Sequence, residues 1–264
     1  MKQNRDRLES GAIERALGTS RFGRPLHVYD RAGSTNDLAR ELADQGAPEG
    51  STVIALVQTG GRGRRGRSWQ SPAGGLWLSV VLRPVLEAER WPLVGFAASV
   101  GAAAAVGDVT GALVRLKWPN DLIASGRKLG GVLVESSGNA AVVGIGINAN
   151  LSLTDLPAEV RASAVTLMSL LGRPVDLETL AAAVLTQFER HHDLLQRDPG
   201  ALLALWRARD LTVGRAVRIS GVYDLEGTAE EVDGSGALLV RTAAGVQRVA
   251  AGEVSLRTVD ASQS

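Results

Sequence analysis

A chain of 264 residues, 45% of them hydrophobic, has material for one large domain and a small one. A formal net charge of +1 excludes a general polycation, and the absence of cysteine excludes disulfides, thiolate nucleophiles and cysteine-based metal sites. No run of about 18 apolar residues stands out, so no membrane span is expected. The polar start MKQNRDRLES is no secretory leader, and a soluble cytoplasmic protein is the default expectation.

Residues 1–24 read as a polar extension with a short helix around Leu8–Leu17, too short for a three-helix DNA-reading module. Leu26–Tyr29 reads as a strand. Ser34, Thr35, Asn36 and Asp37 then precede the apolar-periodic LARELADQG. A hydroxyl residue there signals a helix N-cap, and Gly46 ends the helix. Capping alone would account for Ser34 and Thr35. The functional alternative adds a pocket of hydroxyl and amide groups at the positive helix end.

Thr52–Val57 reads as a buried strand and runs into Gln58–Ser71, QTGGRGRRGRSWQS. Here Gly60, Gly61, Gly63 and Gly66 interleave with Arg62, Arg64, Arg65 and Arg67. Glycine lets backbone approach a ligand, and arginine offers a planar cationic fork for carboxylate or phosphate. A mobile loop of this kind at a strand end is a candidate anion clamp. GRGRRG also fits the dinucleotide pattern G-x-G-x-x-G, with Glu87 near the distance of a ribose-binding acid. That fingerprint must open a helix, whereas RSWQSPAGG follows here. The other plain reading is a solvated or nucleic-acid-binding basic patch, which the near-neutral net charge weakens.

Leu76–Leu82 alternates as a strand, and Pro92–Val109 reads as a small-sided helix packed closely on a sheet. Leu113–Trp118 reads as a strand ending in Pro119, Asn120 and Asp121, which is turn chemistry. Lys128–Glu135 and Ala141–Ile147 read as two neighbouring strands joined by a turn at Ser137–Asn139. Glycine inside a strand often marks close approach of a ligand. Gly130, Gly131, Gly144 and Gly146 would together leave a slot for a flat bicyclic or aromatic group. Of 29 basic side chains only Lys2, Lys117 and Lys128 are lysine, and two of these fall in KWPNDLIASGRK, a hint that a compact ammonium is needed there.

Residues 157–210 read as helical, with Asp176 capping a helix that runs to Leu195 and Trp206 in the core. His191 and His192 are expected at the surface; adjacent helix residues point apart, which disfavours a metal site. From Leu211 short alternating runs (216–220, 225–232, 237–241, 246–249) are separated by Gly-rich turns. That pattern suits a small antiparallel barrel, and the last residues are expected to fray. The division is an extension at 1–24, a catalytic domain at 25–210 and a C-terminal domain at 211–264.

No G-x-S-x-G elbow or Walker motif appears, and the three histidines lie far from any motif. What remains is a cationic and polar set: the Arg loop, Lys117, Asn120, Asp121, Lys128 and Asn148. It suits activation of a carboxylate by a nucleotide, where catalysis is mostly positioning and charge stabilisation.

Ser34-Thr35-Asn36, Gln58 with GRGRRGR, KWPND at 117–121, RKLGG at 127–131 and GIGIN at 144–148 resemble, in order and spacing, the biotin protein ligases. The resemblance covers residues 26–255. It implies an α+β fold: a mixed, mostly antiparallel sheet with packed helices, of the class II aminoacyl-tRNA synthetase/biotin synthetase-like kind, plus a small C-terminal SH3-like β-barrel. It implies ATP with Mg2+ as cofactors, biotinyl-adenylate as intermediate and a lysine of a biotin carboxyl carrier protein as acceptor. By similarity Ser34, Thr35, Asn36 and Gln58 surround the biotin head, with Gly131 and Leu133 beneath it. Arg62, Gly63 and Arg64 close over carboxylate and phosphate. Lys128 touches both anions, which with Arg64 makes it the catalytic expectation. Lys117, Asn120, Asp121, Asn148 and Trp69 fall to the nucleotide side; metal ligands are not specified.

The DNA-binding domain of the bifunctional members is not expected, nor a DNA partner, and the family allows a monomer or a homodimer. Thr59-Gly60 and Gly130 depart from common family residues, small for small. A lipoate ligase of the same architecture is the nearest alternative, and a nucleic-acid-binding module the alternative from another class.

Overall fold

The computed structural model describes residues 8–83, 91–138, 140–221, 223–250 and 253–256. Glu87 and the expected fraying of the last residues lie outside these. Helix α1 (Ser10–Ala16) leads to β1 (Leu26–Ala32), α2 (Thr35–Asp44), β2 (Thr52–Gln58) and β3 (Leu76–Leu82). Then come α3 (Pro92–Thr110), β4 (Arg115–Lys117), β5 (Asp121–Ala124), β6 (Arg127–Ser137) and β7 (Ala140–Ile147). The seven strands form one sheet in the order β1-β2-β3-β7-β6-β5-β4. Only β1 and β2 are parallel, joined through α2, since a parallel pair needs a crossover; the other pairs are antiparallel.

Both faces of the sheet are covered. The amphipathic α2 sets Ala39 and Ala43 on Val53, Val81 and Val142. The opposite face carries Ile54, Val80, Val143 and Ile145 under the main core, with α3 and α6 (Leu177–Arg197). Helix α3 is apolar all round, as a helix surrounded by protein must be. Contrary to expectation, it is long and apolar enough to cross a membrane by length and composition, yet 72% of that stretch is buried inside the fold. Short helices α4 (Ala158–Arg161) and α5 (Leu167–Leu171) precede α6, and α7 (Pro199–Arg207) stacks Trp206 on Phe96 at 4.3 Å.

Asp176 caps α6, accepting from Thr179 N at 2.6 Å. His191 and His192, expected at the surface, are buried instead, at 8% and 0% exposure. Phe22 of the N-terminal extension covers His192, its ring 5.6 Å from the imidazole, while His191 Nδ1 lies 2.7 Å from Gln187 O one turn back on α6. Burial pushes both imidazoles towards the neutral form. The nearby Glu189 carboxylate accepts from the backbone N–H of Ser20, Arg21 and Phe22. Burial opposes its ionisation, but these hydrogen bonds prevail and its pKa is lowered. The polar extension is thereby fastened to α6.

The second sheet contains β8 (Ala216–Ser220), β9 (Leu225–Val232), β10 (Leu238–Thr242), β11 (Gly245–Val249) and β12 (Glu253–Leu256). Its order is β11-β10-β9-β8-β12, all antiparallel. Among the described residues the end strands do not pair, so the expected SH3-like barrel is corrected to an open sheet. The physical reason lies in β11: its first four residues are exposed and only Val249 is buried, so it lacks the inward apolar row that closure would bury.

Helices α3 and α6 meet at Gly101. A Cβ there would stand 2.8 Å and 2.9 Å from the Phe188 Cα and N atoms. Alanine is favoured over glycine in a helix interior by about 1 kcal/mol, but overpacking costs about 1–3 kcal/mol, and contact with backbone atoms that cannot rotate aside puts this site in the upper part, about 2–3 kcal/mol. Gly101→Ala is therefore expected to lower stability by about 1–2 kcal/mol net. Urea denaturation checks this; an unchanged or raised midpoint would refute the close crossing.

Candidate active site

The sheet register builds the floor of the site. On the face that carries α2, β7 sets Gly146 between Trp77 and Gly131, and Gly144 between Ser79 and Leu133. The next row, Val81–Val142–Glu135, regains side chains. Absent side chains at Gly131, Gly144 and Gly146 leave a trough. Asn36 closes one end: a Cβ at Gly144 would stand 2.4 Å from its Oδ1. Gly130 has the other parity, faces Leu122 on the opposite side and does not join the trough.

The register then slips between Leu122 and Ile123, where Leu129 is skipped. A regular strand would place Lys128 on the face opposite Gly131. The bulge turns it onto the trough face, where its Nζ lies 2.6 Å from Asp121 Oδ1 and 5.1 Å from the Trp69 ring centroid. Leu129, the skipped residue, is fully buried in the core behind.

A cavity of about 450 Å³ opens above this floor. All the residues that the family resemblance assigns to the site line it: Ser34, Thr35, Asn36, Gln58, Arg62, Gly63, Arg64, Trp69, Lys117, Asn120, Asp121, Lys128, Gly131, Leu133 and Asn148. Their roles differ. Ser34 holds the N-cap position of α2 but makes no capping bond. Gln58 Oε1 instead accepts from Thr35 N at 2.8 Å and Thr35 Oγ1 at 3.0 Å, while its Nε2 donates to Ser71 Oγ. Ser79 Oγ lies 2.6 Å from Asn36 Oδ1 and 2.7 Å from Thr35 Oγ1. The result is a buried polar network at one end of the trough.

The arginine loop is more ordered than its glycines suggest. Bridges Gln58–Ser71 and Arg62–Ser68 and the bond from Trp69 N to Gly61 O fold it into a hairpin. Arg62 grips Asp37 with two hydrogen bonds of 2.6 Å and approaches Glu135 at 3.5 Å. Hydrogen bonding from Arg62 holds the Asp37 carboxyl below its usual range, and Arg62 itself is held charged. Arg40 joins both carboxylates. Asn120 Nδ2 donates to Val132 O, and Asn148 Nδ2 lies 3.4 Å from Lys128 O and 3.3 Å from Val165 O, so the two amides bond backbone on either side of the bulge. The Trp69 indole N–H is buried above Gly146 with no hydrogen-bond partner among the described residues.

Sequence reasoning missed Ser71, Ser79, Glu135, Trp77 and the 156–164 segment, which also surround or line the cavity. Ser79 and Glu135 were visible as polar residues interrupting the buried face of two apolar strands; the others carry no such signal. Chemically, the arrangement offers a neutral hydrogen-bonding pocket at one end and cations at the other. That suits a polar head group with an acidic tail set against a phosphate.

Residues 28–152 match the profile of the Biotin/lipoate A/B protein ligase family, and residues 212–257 match that of the Biotin protein ligase C terminal domain. The biotin--[acetyl-CoA-carboxylase] ligase of Mycobacterium tuberculosis is 34% identical over 264 residues, 95% of this chain and 98% of that protein. The bifunctional ligase/repressor BirA of Bacillus subtilis is 32% identical over 260 residues, 95% of this chain and 79% of that protein. Among solved structures, a biotin protein ligase from Aquifex aeolicus in complex with biotin and ATP superposes with a TM-score of 0.79 at 29% identity, over 88% of this chain and 98% of that one. With such likeness along nearly the whole of both chains, and both family profiles in their places, the chain belongs to the biotin protein ligases of the biotin/lipoate A/B ligase family.

Proposed function

We propose that the cavity holds biotin along the glycine trough and ATP beside it, and that Lys128 brings the two anions together. The chain is an ATP-dependent biotin protein ligase. The observation that carries the residue assignment is the bulge that aims Lys128 into the trough, within reach of Asp121.

In this reading the ureido head sits among Ser34, Thr35, Asn36 and Gln58, whose donors and acceptors match its own. A dithiolane has no hydrogen bonds to offer this network, and buried polar groups left unpaired discriminate strongly. Gly131 and Leu133 form the floor under the ring system. The acid tail then runs towards Lys128 and the hairpin, where Gly63 and Arg64 close over it.

The first half-reaction joins a biotin carboxylate oxygen to the α-phosphorus of ATP and expels pyrophosphate. Two anions must approach, so the ammonium of Lys128 and the guanidinium of Arg64 offset their repulsion and hold the line of attack. Lys117, Asn120, Asp121, Asn148 and Trp69 lie on the nucleotide side. Mg2+ enters as MgATP, with phosphate oxygens and water filling most of its shell. Among the described residues no three His, Asp or Glu side chains gather as a resident metal site. In the second half-reaction the amine of an acceptor lysine, on a biotin carboxyl carrier domain, attacks the acyl carbon; an amide forms and AMP leaves.

Biotin-dependent exchange of labelled pyrophosphate into ATP tests the reading, and its absence would refute it. Lys128→Ala is expected to lower that exchange roughly 10²–10³-fold, the usual cost of one preorganised charge contact. The melting midpoint should hold, because the side chain is 35% exposed; normal turnover would remove Lys128 from its role. Gly144→Ala must displace Asn36 from Ser79 and Glu135. Losing about one net hydrogen bond predicts roughly tenfold weaker biotin binding by calorimetry, and unchanged affinity would place the head group elsewhere.

A further inference from the structure

Among the described residues the second sheet touches the site at three points. Val254 of β12 lines the cavity. Trp118, inside KWPND, donates its indole N–H to Gly236 O at 2.9 Å. Arg65, in the middle of the hairpin, donates Nη1 to Ser220 O at the end of β8, also at 2.9 Å. The third contact stands apart because both its sides carry an unusual backbone. Arg65 is left-handed (φ 58, ψ 36), a region that non-glycine residues enter rarely and keep only when their surroundings determine it. Opposite it, Gly221 has φ +113, and a Cβ there would stand 1.1 Å from Arg65 Nη1 and 2.0 Å from Cζ. The guanidinium occupies the space that any side chain at 221 would fill.

Arg64 and Arg65 flank one peptide bond and serve opposite sides. Arg64 lines the cavity, and Arg65 leaves it for the second sheet. A glycine-rich hairpin has much conformational freedom to lose on closing, so a tether one residue from Arg64 fixes the backbone that carries it. We infer that the second sheet latches the hairpin through Arg65 and the Gly221 seat, and thereby retains the adenylate between the two half-reactions. Arg65 is a positioning residue acting through Arg64. The inference rests on the biotin ligase reading of the cavity.

The test uses the full chain loaded with labelled biotin and MgATP, freed of excess reagents, and followed for release of the labelled adenylate. Arg65→Asn tolerates the left-handed turn but cannot reach Ser220. Gly221→Ala keeps Arg65 and fills its seat. Each is expected to release adenylate about tenfold faster, with a smaller effect on its formation, because loosened contacts act mainly on dissociation. The double variant should be no faster than the worse single one, since both remove the same contact. Trypsin cleavage at the hairpin arginines of the unliganded chain should rise in Gly221→Ala. Release as slow as in the parent chain, or losses that add in the double variant, would overturn the latch. A parent chain that forms no adenylate would instead refute the ligase reading, and the unliganded cleavage pattern would then decide the latch alone.

Discussion

One skipped residue in β6 decides the chemistry of the site. Side chains along a strand alternate faces, so residues 128 and 131 would lie on opposite sides of a regular ladder. Skipping Leu129 resolves this: the leucine goes to the core and Lys128 comes round to Asp121. The same register aligns Gly131 with Gly146 and Leu133 with Gly144, so that trough and ammonium share one face. A shift of one residue at either pairing would put the cation behind the sheet or a side chain into the trough. Asn148 and Asn120 bond the backbone carbonyls of Lys128 and Val132, one on each side of the slipped register.

The hairpin divides its positive charge by position. Arg62 is spent on Asp37 and Glu135, which docks the hairpin on α2 and β6. The Arg62, Asp37 and Glu135 side chains are 33%, 40% and 26% exposed, and solvent screening makes the cluster a matter of geometry more than of stability. Arg65 is committed to the second sheet. Arg64 stays along the cavity wall with Lys128. Three of the four arginines in these six residues thus divide into two anchors and one group along the cavity, with Gly63 and Gly66 flanking the Arg64-Arg65 pair.

Most strands of the main sheet were legible because their apolar runs are uninterrupted and bounded by turn residues. The polar pocket was legible because hydroxyl and amide residues are concentrated at one helix start and one strand end. The bulge was not legible: KLGGVLVE reads equally well as a regular strand, and only its pairing with the short β5 reveals the skipped position. Burial of His192 depends on a segment some 170 residues earlier in the chain, as the Phe22 ring beside it and the Glu189 bonds to Ser20 and Arg21 record. The barrel expectation failed because alternation predicts strands but not closure. β11 alternates weakly, and β12, EVSL, is too short to announce itself.

The start of α2 shows how structural and functional demands were separated. A helix N-terminus must satisfy its first amides, and Ser34 is the residue type that ordinarily does so. Here the amide of Thr35 is met by Gln58, a side chain from the strand that follows the helix. Ser34, relieved of capping, is buried at the cavity wall. Gln58 also fixes the root of the hairpin through Ser71. The side chain that completes the helix is therefore the one that anchors the hairpin, and a head group bonded to it would sense both. This coupling supplies a physical route by which filling the polar end of the trough bears on the hairpin at its cationic end.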